Sequence, residues 1–454
     1  MLTVKKLFLL LLLFCGATLR GESQSTLLED YVALGLENNL ALKQENLSIQ
    51  ESLASLRQAK GLFKPSVSFD ASYTLADGGR TIDVPIGDLL NPVYGSLNQL
   101  SGSESFPTNL PNASEQLFPN DFHDTRFQFK QPLFNTSIYY NYKAKETLIS
   151  VAEAQRDVYE RELIKEIRKG YYAYLQTLAV LHIYDSTETV LNELIQVNRV
   201  LVVNNKATKD ILYSAEFELS DLYEKRSEAV RQNNVAKTYF NFLLNRDLSD
   251  SILVDNSLNP IISDDYNNLS LLQELAVDNR KEIKQVERAK EATGYVVKLN
   301  EKSRLPEIGL GGAIGYQGFG YEFDSNQDYA LLQFNLSLPL FEGSQKKARI
   351  QKSKVSLAKI ELQERELKQS IKLQVVDAYH NLQAAQSKVI SRAAAARSAE
   401  ESFKIIKRKY EESQVLLVEF LDARTKYTNS QIDLAIANYD LLIKEEELKR
   451  SLSL

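Results

Sequence analysis

Residues 127–134 read Phe-Gln-Phe-Lys-Gln-Pro-Leu-Phe, and residues 331–341 read Leu-Leu-Gln-Phe-Asn-Leu-Ser-Leu-Pro-Leu-Phe. Both alternate apolar and polar side chains, and both end on Pro-Leu-Phe. Pro132 and Pro339 stand 207 positions apart, and the same offset carries Tyr172 onto Tyr379 and Leu175 onto Leu382. A second pair of signals, Lys64-Pro65 and Leu305-Pro306, opens the partner strand of each segment. Pro65 and Pro306 are 241 positions apart, so the first unit holds 34 more residues between its strands than the second. An internal repeat of this length decides the architecture before any single motif does.

Each unit reads as helix, strand, loop, strand, long helix, turn, helix. The first repeat spans 24–245, with strands at 66–75 and 124–134 and a helical hairpin at 136–245. A linker at 246–267 follows. The second repeat spans 268–454, with strands at 307–316 and 329–340 and a hairpin at 344–452. The first helix covers about 26–60, and its counterpart about 268–302. Proline and glycine are absent from 344–454, and Gly170 is the only breaker residue between Leu133 and Asn259. Such stretches, rich in Ala, Leu, Glu, Lys and Gln, form very long helices. At 1.5 Å per residue the longer ones reach roughly 100 Å, a length no compact soluble core requires.

The strands have two unlike faces. Val67, Phe69, Ala71, Tyr73 and Leu75 alternate with Ser66, Ser68, Asp70, Ser72 and Thr74. Phe127, Phe129 and Leu133 alternate with Arg126, Gln128 and Lys130. Ile308, Leu310, Ile314 and Tyr316 oppose Gly309, Gly311 and Gly315. Leu332, Phe334, Leu336, Leu338 and Leu340 alternate with Gln333, Asn335 and Ser337. Ten-residue strands of this period fit a transmembrane β-barrel with lipid outside and water inside. A soluble sandwich strand alternates in the same way; the export signal and the long flanking helices favour the barrel. Four strands cannot close around water, so several chains must contribute. Three would supply twelve strands.

On the second long helix, Ile371, Val375, Ala378, Leu382, Ala385, Val389, Ala393 and Ala396 step by four and three, and Ala399, Phe403, Ile406 and Tyr410 extend the stripe. That is a coiled-coil seam with small residues for close approach. Residues 76–123, rich in Asn, Pro, Gly and Ser, read as a long extracellular loop, and 317–328 as a short one.

Lys5 and Lys6, the apolar run Leu7–Phe14 and the small residues after it read as a signal peptide over 1–23. Cys15, the single cysteine, falls within or beside it, and Phe14 is too bulky for a good lipidation motif. The formal net charge is −6, and an acidic exported chain argues against nucleic acid as a partner. No later segment has the ~18–20 continuous apolar residues of a membrane helix.

The duplicated unit, the Pro-Leu-Phe strand ends and the turn sequences of both hairpins resemble the TolC-like outer-membrane efflux proteins over essentially the whole chain. Tyr410-Glu411-Glu412-Ser413-Gln414-Val415-Leu416-Leu417-Val418-Glu419-Phe420-Leu421-Asp422-Ala423 is similar to that family's Tyr-x-x-Gly-x-x-x-x-x-Asp-Val-Leu-Asp-Ala, and Asn204-Asn205-Lys206-Ala207-Thr208-Lys209-Asp210-Ile211-Leu212 is a looser match. The resemblance implies an α+β membrane protein in the bacterial outer membrane with a periplasmic extension. It implies a homotrimer with a 12-stranded barrel, four strands per chain, continued by a helical barrel. It implies a tripartite efflux or type I secretion system, in which a periplasmic adaptor and an inner-membrane pump feed the duct. Carried onto this chain, it makes Glu419 and Asp422 two rings of three carboxylates at a periplasmic gate that favours cations. It makes the tips at 203–209 and 411–417, with Asn204, Asn205, Lys206, Ser413 and Gln414, the adaptor contacts. Ser413 stands where the family has glycine, and serine enters the left-handed conformation less readily than glycine or Asn205.

No enzyme chemistry is legible. His123, His182 and His380 stand apart, without metal-ligand spacing or a Ser–His–Asp set, and no cofactor is implied. A periplasmic coiled-coil scaffold without transport activity is the alternative. It would suit the helices but leaves the four alternating strands without a role.

Overall fold

The computed structural model describes residues 26–117, 119–255 and 268–453. The signal at 1–23, Cys15 and linker residues 256–267 lie outside the described residues. In chain order the elements are α1 (Thr26–Asn38), α2 (Leu40–Gly61), β1 (Ser66–Thr74), β2 (Thr81–Val84), α3 (Ile86–Ser101), β3 (Ala113–Gln116), β4 (Phe122–Phe134), α4 (Thr136–Val203) and α5 (Asp210–Leu243). The second repeat follows with α6 (Leu269–Asn279), α7 (Lys281–Lys302), β5 (Glu307–Phe319), β6 (Asp328–Ser337), α8 (Gln345–Glu411) and α9 (Leu417–Leu452). The chain forms two units. One holds Leu53–Glu146 and Glu291–Leu357; the other holds Met1–Ser52, Thr147–Lys290 and Ala358–Leu454.

The first of these units carries a four-stranded antiparallel sheet in the order β1-β4-β5-β6. Its register keeps the two faces apart. Phe69, Phe127, Ile314 and Ala330 are aligned across the sheet, and so are Val67, Phe129, Gly312 and Leu332. The polar rows alternate with them: Asp70, Arg126, Gly315 and Tyr329 form one. The apolar rows are exposed, Val67 at 70% and Leu332 at 70%, which leaves a face that water alone does not suit. The β6 strand ends at Ser337 rather than 340, because Pro339 has no N–H to give a ladder.

The expected loop at 76–123 is instead built. It holds the β2–β3 hairpin and α3, and β4 begins at Phe122. Asparagine side chains brace it. Asn91 accepts from the Leu110 N–H at 2.8 Å and donates to the Leu110 carbonyl at 3.0 Å, and Asn98 does the same to Phe106. The residues that read as loop formers act here as side-chain staples.

In the other unit, the expected first helix of each repeat is broken in two. Asn39 interrupts the first, and its Oδ1 accepts from the N–H groups of Ala41 and Leu42, each at 3.0 Å, capping α2. Arg280 interrupts the second, with an extended backbone (ψ 126). The two breaks are 241 positions apart, the same spacing as Pro65 and Pro306, so the break belongs to the repeat. The core beside α1 packs Tyr31, Tyr171 and Phe240, with ring centroids 5.1–5.8 Å apart. Tyr31 and Tyr171 also hold the linker: each hydroxyl accepts a backbone N–H, from Leu253 at 2.8 Å and Asp255 at 3.0 Å. The α8 seam is buried at Ile371, Val375, Ala378, Leu382, Ala385, Val389, Ala396, Phe403 and Tyr410. Ala393 is exposed, contrary to expectation. The run Val375, Leu382, Val389, Ala396, Phe403, Tyr410 keeps a strict seven-residue step, which places Arg392 rather than Ala393 at the seam's edge, where it reaches Asp433 at 2.8 Å.

Arg280 also starts an ion-pair chain. It binds Glu282 at 2.8 Å, and Arg450 binds both Glu282 at 2.8 Å and Glu162 at 3.1 Å. Burial raises the Glu282 pKa, but hydrogen bonds from Arg280 and Arg450 outweigh it and hold the carboxyl down at about 2. A carboxylate depressed in the folded state contributes stability above its unfolded pKa and loses it as pH falls through the folded value. Acid titration of stability is therefore expected to show a loss between about pH 4.5 and 2, of up to about 3 kcal/mol from this group. Glu282→Gln should remove that part of the slope, and an unchanged acid limb would contradict it.

Candidate functional site

The sequence-selected tip residues all fall where two helical hairpins turn. At the first turn, the Asn205 N–H donates to the Val202 carbonyl at 3.0 Å and the Lys206 N–H to the Leu201 carbonyl at 2.9 Å, with Asn205 at φ +55. At the second, the Ser413 N–H donates to Tyr410 at 2.9 Å and the Gln414 N–H to Lys409 at 2.8 Å, with Ser413 at φ +57. Both are Schellman endings with a left-handed residue at the same place. Serine thus takes the turn that glycine would ease, and Asn204, Asn205, Lys206, Ser413 and Gln414 are all exposed. Left-handed backbone costs a non-glycine residue about 1 kcal/mol. Ser413→Gly is accordingly expected to slow amide exchange at Gln414 several-fold without moving the turn; faster exchange there would contradict this.

Packing below the turns brings them to one end of a four-helix cluster. Leu191, Leu194 and Ile195 of α4, Ala215 and Leu222 of α5, Phe403 and Tyr410 of α8, and Phe420 and Ala423 of α9 share a core. The Tyr410 hydroxyl donates to Asn198 Oδ1 at 2.6 Å, and Asn198 Nδ2 donates to the Ile211 carbonyl at 3.0 Å. That chain ties the end of α8 to the end of α4 and the start of α5. Burial pushes the Tyr410 phenol pKa up, so it stays a donor at any physiological pH. Arg424, buried, pairs with Glu218 across α9 and α5, and Thr187 meets Thr428 at 3.1 Å.

Glu419 and Asp422 sit in the first turns of α9, both exposed. Each has a local partner that sequence reading missed. The Leu416 N–H points at Glu419 Oε1 at 3.5 Å, the reach of a helix-capping carboxylate. Asp422 pairs with Lys426, one turn on, at 2.7 Å. The spacing of Asp422 and Lys426, four apart on a helix, was the available signal. Also missed was a cleft of about 640 Å³ between α5 and α9, lined by Tyr213, Phe217, Leu416 and Val418 among others. These four are 61–71% exposed. Their signal was apolar character out of phase with the buried Ala215, Leu222 and Ala229.

Residues 272–453 match the outer membrane efflux protein family. Outer membrane protein TolC of Escherichia coli (strain K12) is 22% identical over 451 residues, covering 98% of this chain and 86% of that protein. TolC of Salmonella enteritidis is 21% identical over 460 residues, with the same coverage. The second repeat thus carries the family match, and the chain as a whole is similar to TolC. The outer membrane protein VceC of Vibrio cholerae has the same fold, with a TM-score of 0.73 at 16% identity, covering 94% of this chain and 95% of that one. The matched family and both of these relatives are outer-membrane proteins by name. Among the described residues, no helix is long and apolar enough to cross a membrane, and no group of three or more His, Cys, Asp or Glu could hold a metal ion.

Proposed function

We propose that this chain is the outer-membrane duct of a tripartite efflux or type I secretion system. Three copies form a 12-stranded barrel, and their long helices form a periplasmic tunnel that receives solutes from an inner-membrane pump through an adaptor. The observation that carries this reading is the sheet β1-β4-β5-β6 with one exposed apolar face and both edges unpaired by any described strand. Lipid tolerates no open sheet edge, so β1 of one copy must pair with β6 of the next until the ring closes. The turns at Asn204–Lys206 and Ser413–Gln414, with the adjacent cleft at Tyr213 and Phe217, are the surface for the adaptor. Glu419 and Asp422 line the periplasmic mouth.

The test is single-channel recording in a planar bilayer. A small, cation-preferring conductance is expected, with the preference lost in Glu419→Ala/Asp422→Ala. Because Lys426 offsets Asp422, Lys426→Ala should sharpen the preference instead. Channels whose selectivity ignores all three positions would move the gate elsewhere. Silence from a well-folded, membrane-extracted oligomer would sink the duct.

A further inference from the structure

The end of the sheet from which the long helices leave carries a cleft of about 290 Å³, lined by Phe63, Leu133, Phe134, Ile138, Tyr139 and Tyr140 together with backbone-turning residues. It is continuous with the apolar face. A register shift between Pro132 and Phe134 sets Phe134 opposite Ile308, within the apolar rows. Phe63, Leu133, Phe134 and Tyr139 are all more than 40% exposed, so the cleft opens outward along the surface that faces lipid.

One rim of this cleft is cationic. Phe63 packs edge-on against Tyr142 at 6.0 Å, and the same Tyr142 ring has the Lys60 ammonium 5.7 Å and the Lys143 ammonium 5.5 Å from its centre. Lys143 is engaged by Glu146 at 2.8 Å. Lys60 and Lys64 are exposed and have no ion-pair partner among the described residues. The surrounding charge is not that of the chain as a whole, whose net is −6. Residues 57–64 hold three cations and no anion, and 343–354 hold five cations and no anion. At the opposite end of the sheet, 76–122 holds six anions and one cation.

We propose that this cleft binds an anionic glycerophospholipid of the periplasmic leaflet, one acyl chain lying on Phe134 and Tyr139 and the phosphate held by Lys60 and Lys64. The proposal rests on the membrane reading of the sheet given above. An apolar slot flanked by two exposed ammonium groups without an ion-pair partner among the described residues, Lys60 on the Tyr142 ring beside Phe63 and Lys64 next to Phe63 in the chain, matches a lipid that is apolar below and negative above. At the same end of the sheet the second repeat adds Lys347, exposed and without an ion-pair partner among the described residues, while Lys346 and Arg349 are held by Glu342. A zwitterionic headgroup offers the same phosphate but brings its own cation, which Lys60 and Lys64 repel.

Native mass spectrometry of the delipidated oligomer, with phosphatidylglycerol or phosphatidylcholine of the same acyl chains added back, tests this. Selective retention of phosphatidylglycerol is expected. Lys60→Gln and Lys64→Gln should each weaken it about fivefold, at about 1 kcal/mol per cation, while Lys60→Arg/Lys64→Arg retains it. Equal retention of the two lipids overturns the proposal, as does undiminished binding to the glutamine variants. Inorganic phosphate binding as tightly as the lipid also overturns it, since the cleft would then hold no acyl chain. Conductance of the same preparation keeps the two readings separate: a silent oligomer that still selects phosphatidylglycerol overturns the duct and supports the lipid site.

Discussion

Arg168→Met is expected to cost about 3–5 kcal/mol of folding stability. Arg168 lies in α4, 13% exposed, with one nitrogen 2.9 Å from Glu446 and the other 2.9 Å from Glu29. Glu446 is 5% exposed, and its other ion-pair contact is Lys449 at 3.5 Å. Removing the guanidinium strands that carboxylate where water cannot reach it, and an uncompensated buried charge is far more costly than a missing pair. Arg168→Met/Glu446→Leu should recover most of the loss, because both charges then disappear together. Denaturant titration in detergent of these two variants, Glu446→Leu alone and the unaltered protein gives the coupling directly. A single-variant loss below about 1 kcal/mol would mean that Glu446 finds water or another cation.

Gly315→Val is expected to abolish the assembled oligomer, read as loss of a heat-modifiable, SDS-resistant band. Gly315 of β5 stands between Arg126 of β4 and Tyr329 of β6 in one row across the sheet. A Cβ at Gly315 would lie 2.3 Å from the Thr125 carbonyl and 2.7 Å from the Arg126 Cα. Those are backbone atoms, so the neighbour cannot swing aside, and β4 and β5 would have to separate. The space is kept for Arg126, which pairs with Asp124 at 2.9 Å on the polar face. Gly309, two rows beyond Ala313, has nothing nearer than 3.6 Å, so Gly309→Ala is the control expected to assemble normally. Assembly of Gly315→Val at wild-type levels would show that the pairing can part locally without cost.

The strands were legible because a sheet with two unlike faces imposes a period of two on every residue, and the alternation at Val67, Phe69, Phe127, Phe334 and Leu336 needs no tertiary information. The long helices were legible from the absence of breakers. What escaped was decided by single side chains acting at a distance. The helix at Ile86–Ser101 contains Asn91-Pro92, a pair that signals a turn, yet Asn91 spends its hydrogen bonds on Leu110 and holds the helix in place. Asn39 and Arg280 look like ordinary polar helix residues, and only their side-chain bonds reveal the breaks. At the candidate site, the positions of Glu419 and Asp422 could be read from the turn, whereas the Tyr213–Phe217 cleft exists only because α9 lies beside α5. Ser413 was readable as an oddity, but its left-handed backbone required the Schellman bonds to be seen.

The two unpaired edges also have a genetic consequence. In the proposed ring each copy would offer β1 to one neighbour and β6 to the other, a head-to-tail arrangement that closes only when every joint is sound. A chain with a spoiled β1 edge and an intact β6 edge would still enter rings and leave each of them open. Expressed beside an equal amount of the normal chain, it would leave only about one ring in eight intact for a ring of three, so such an allele would be dominant over the normal one.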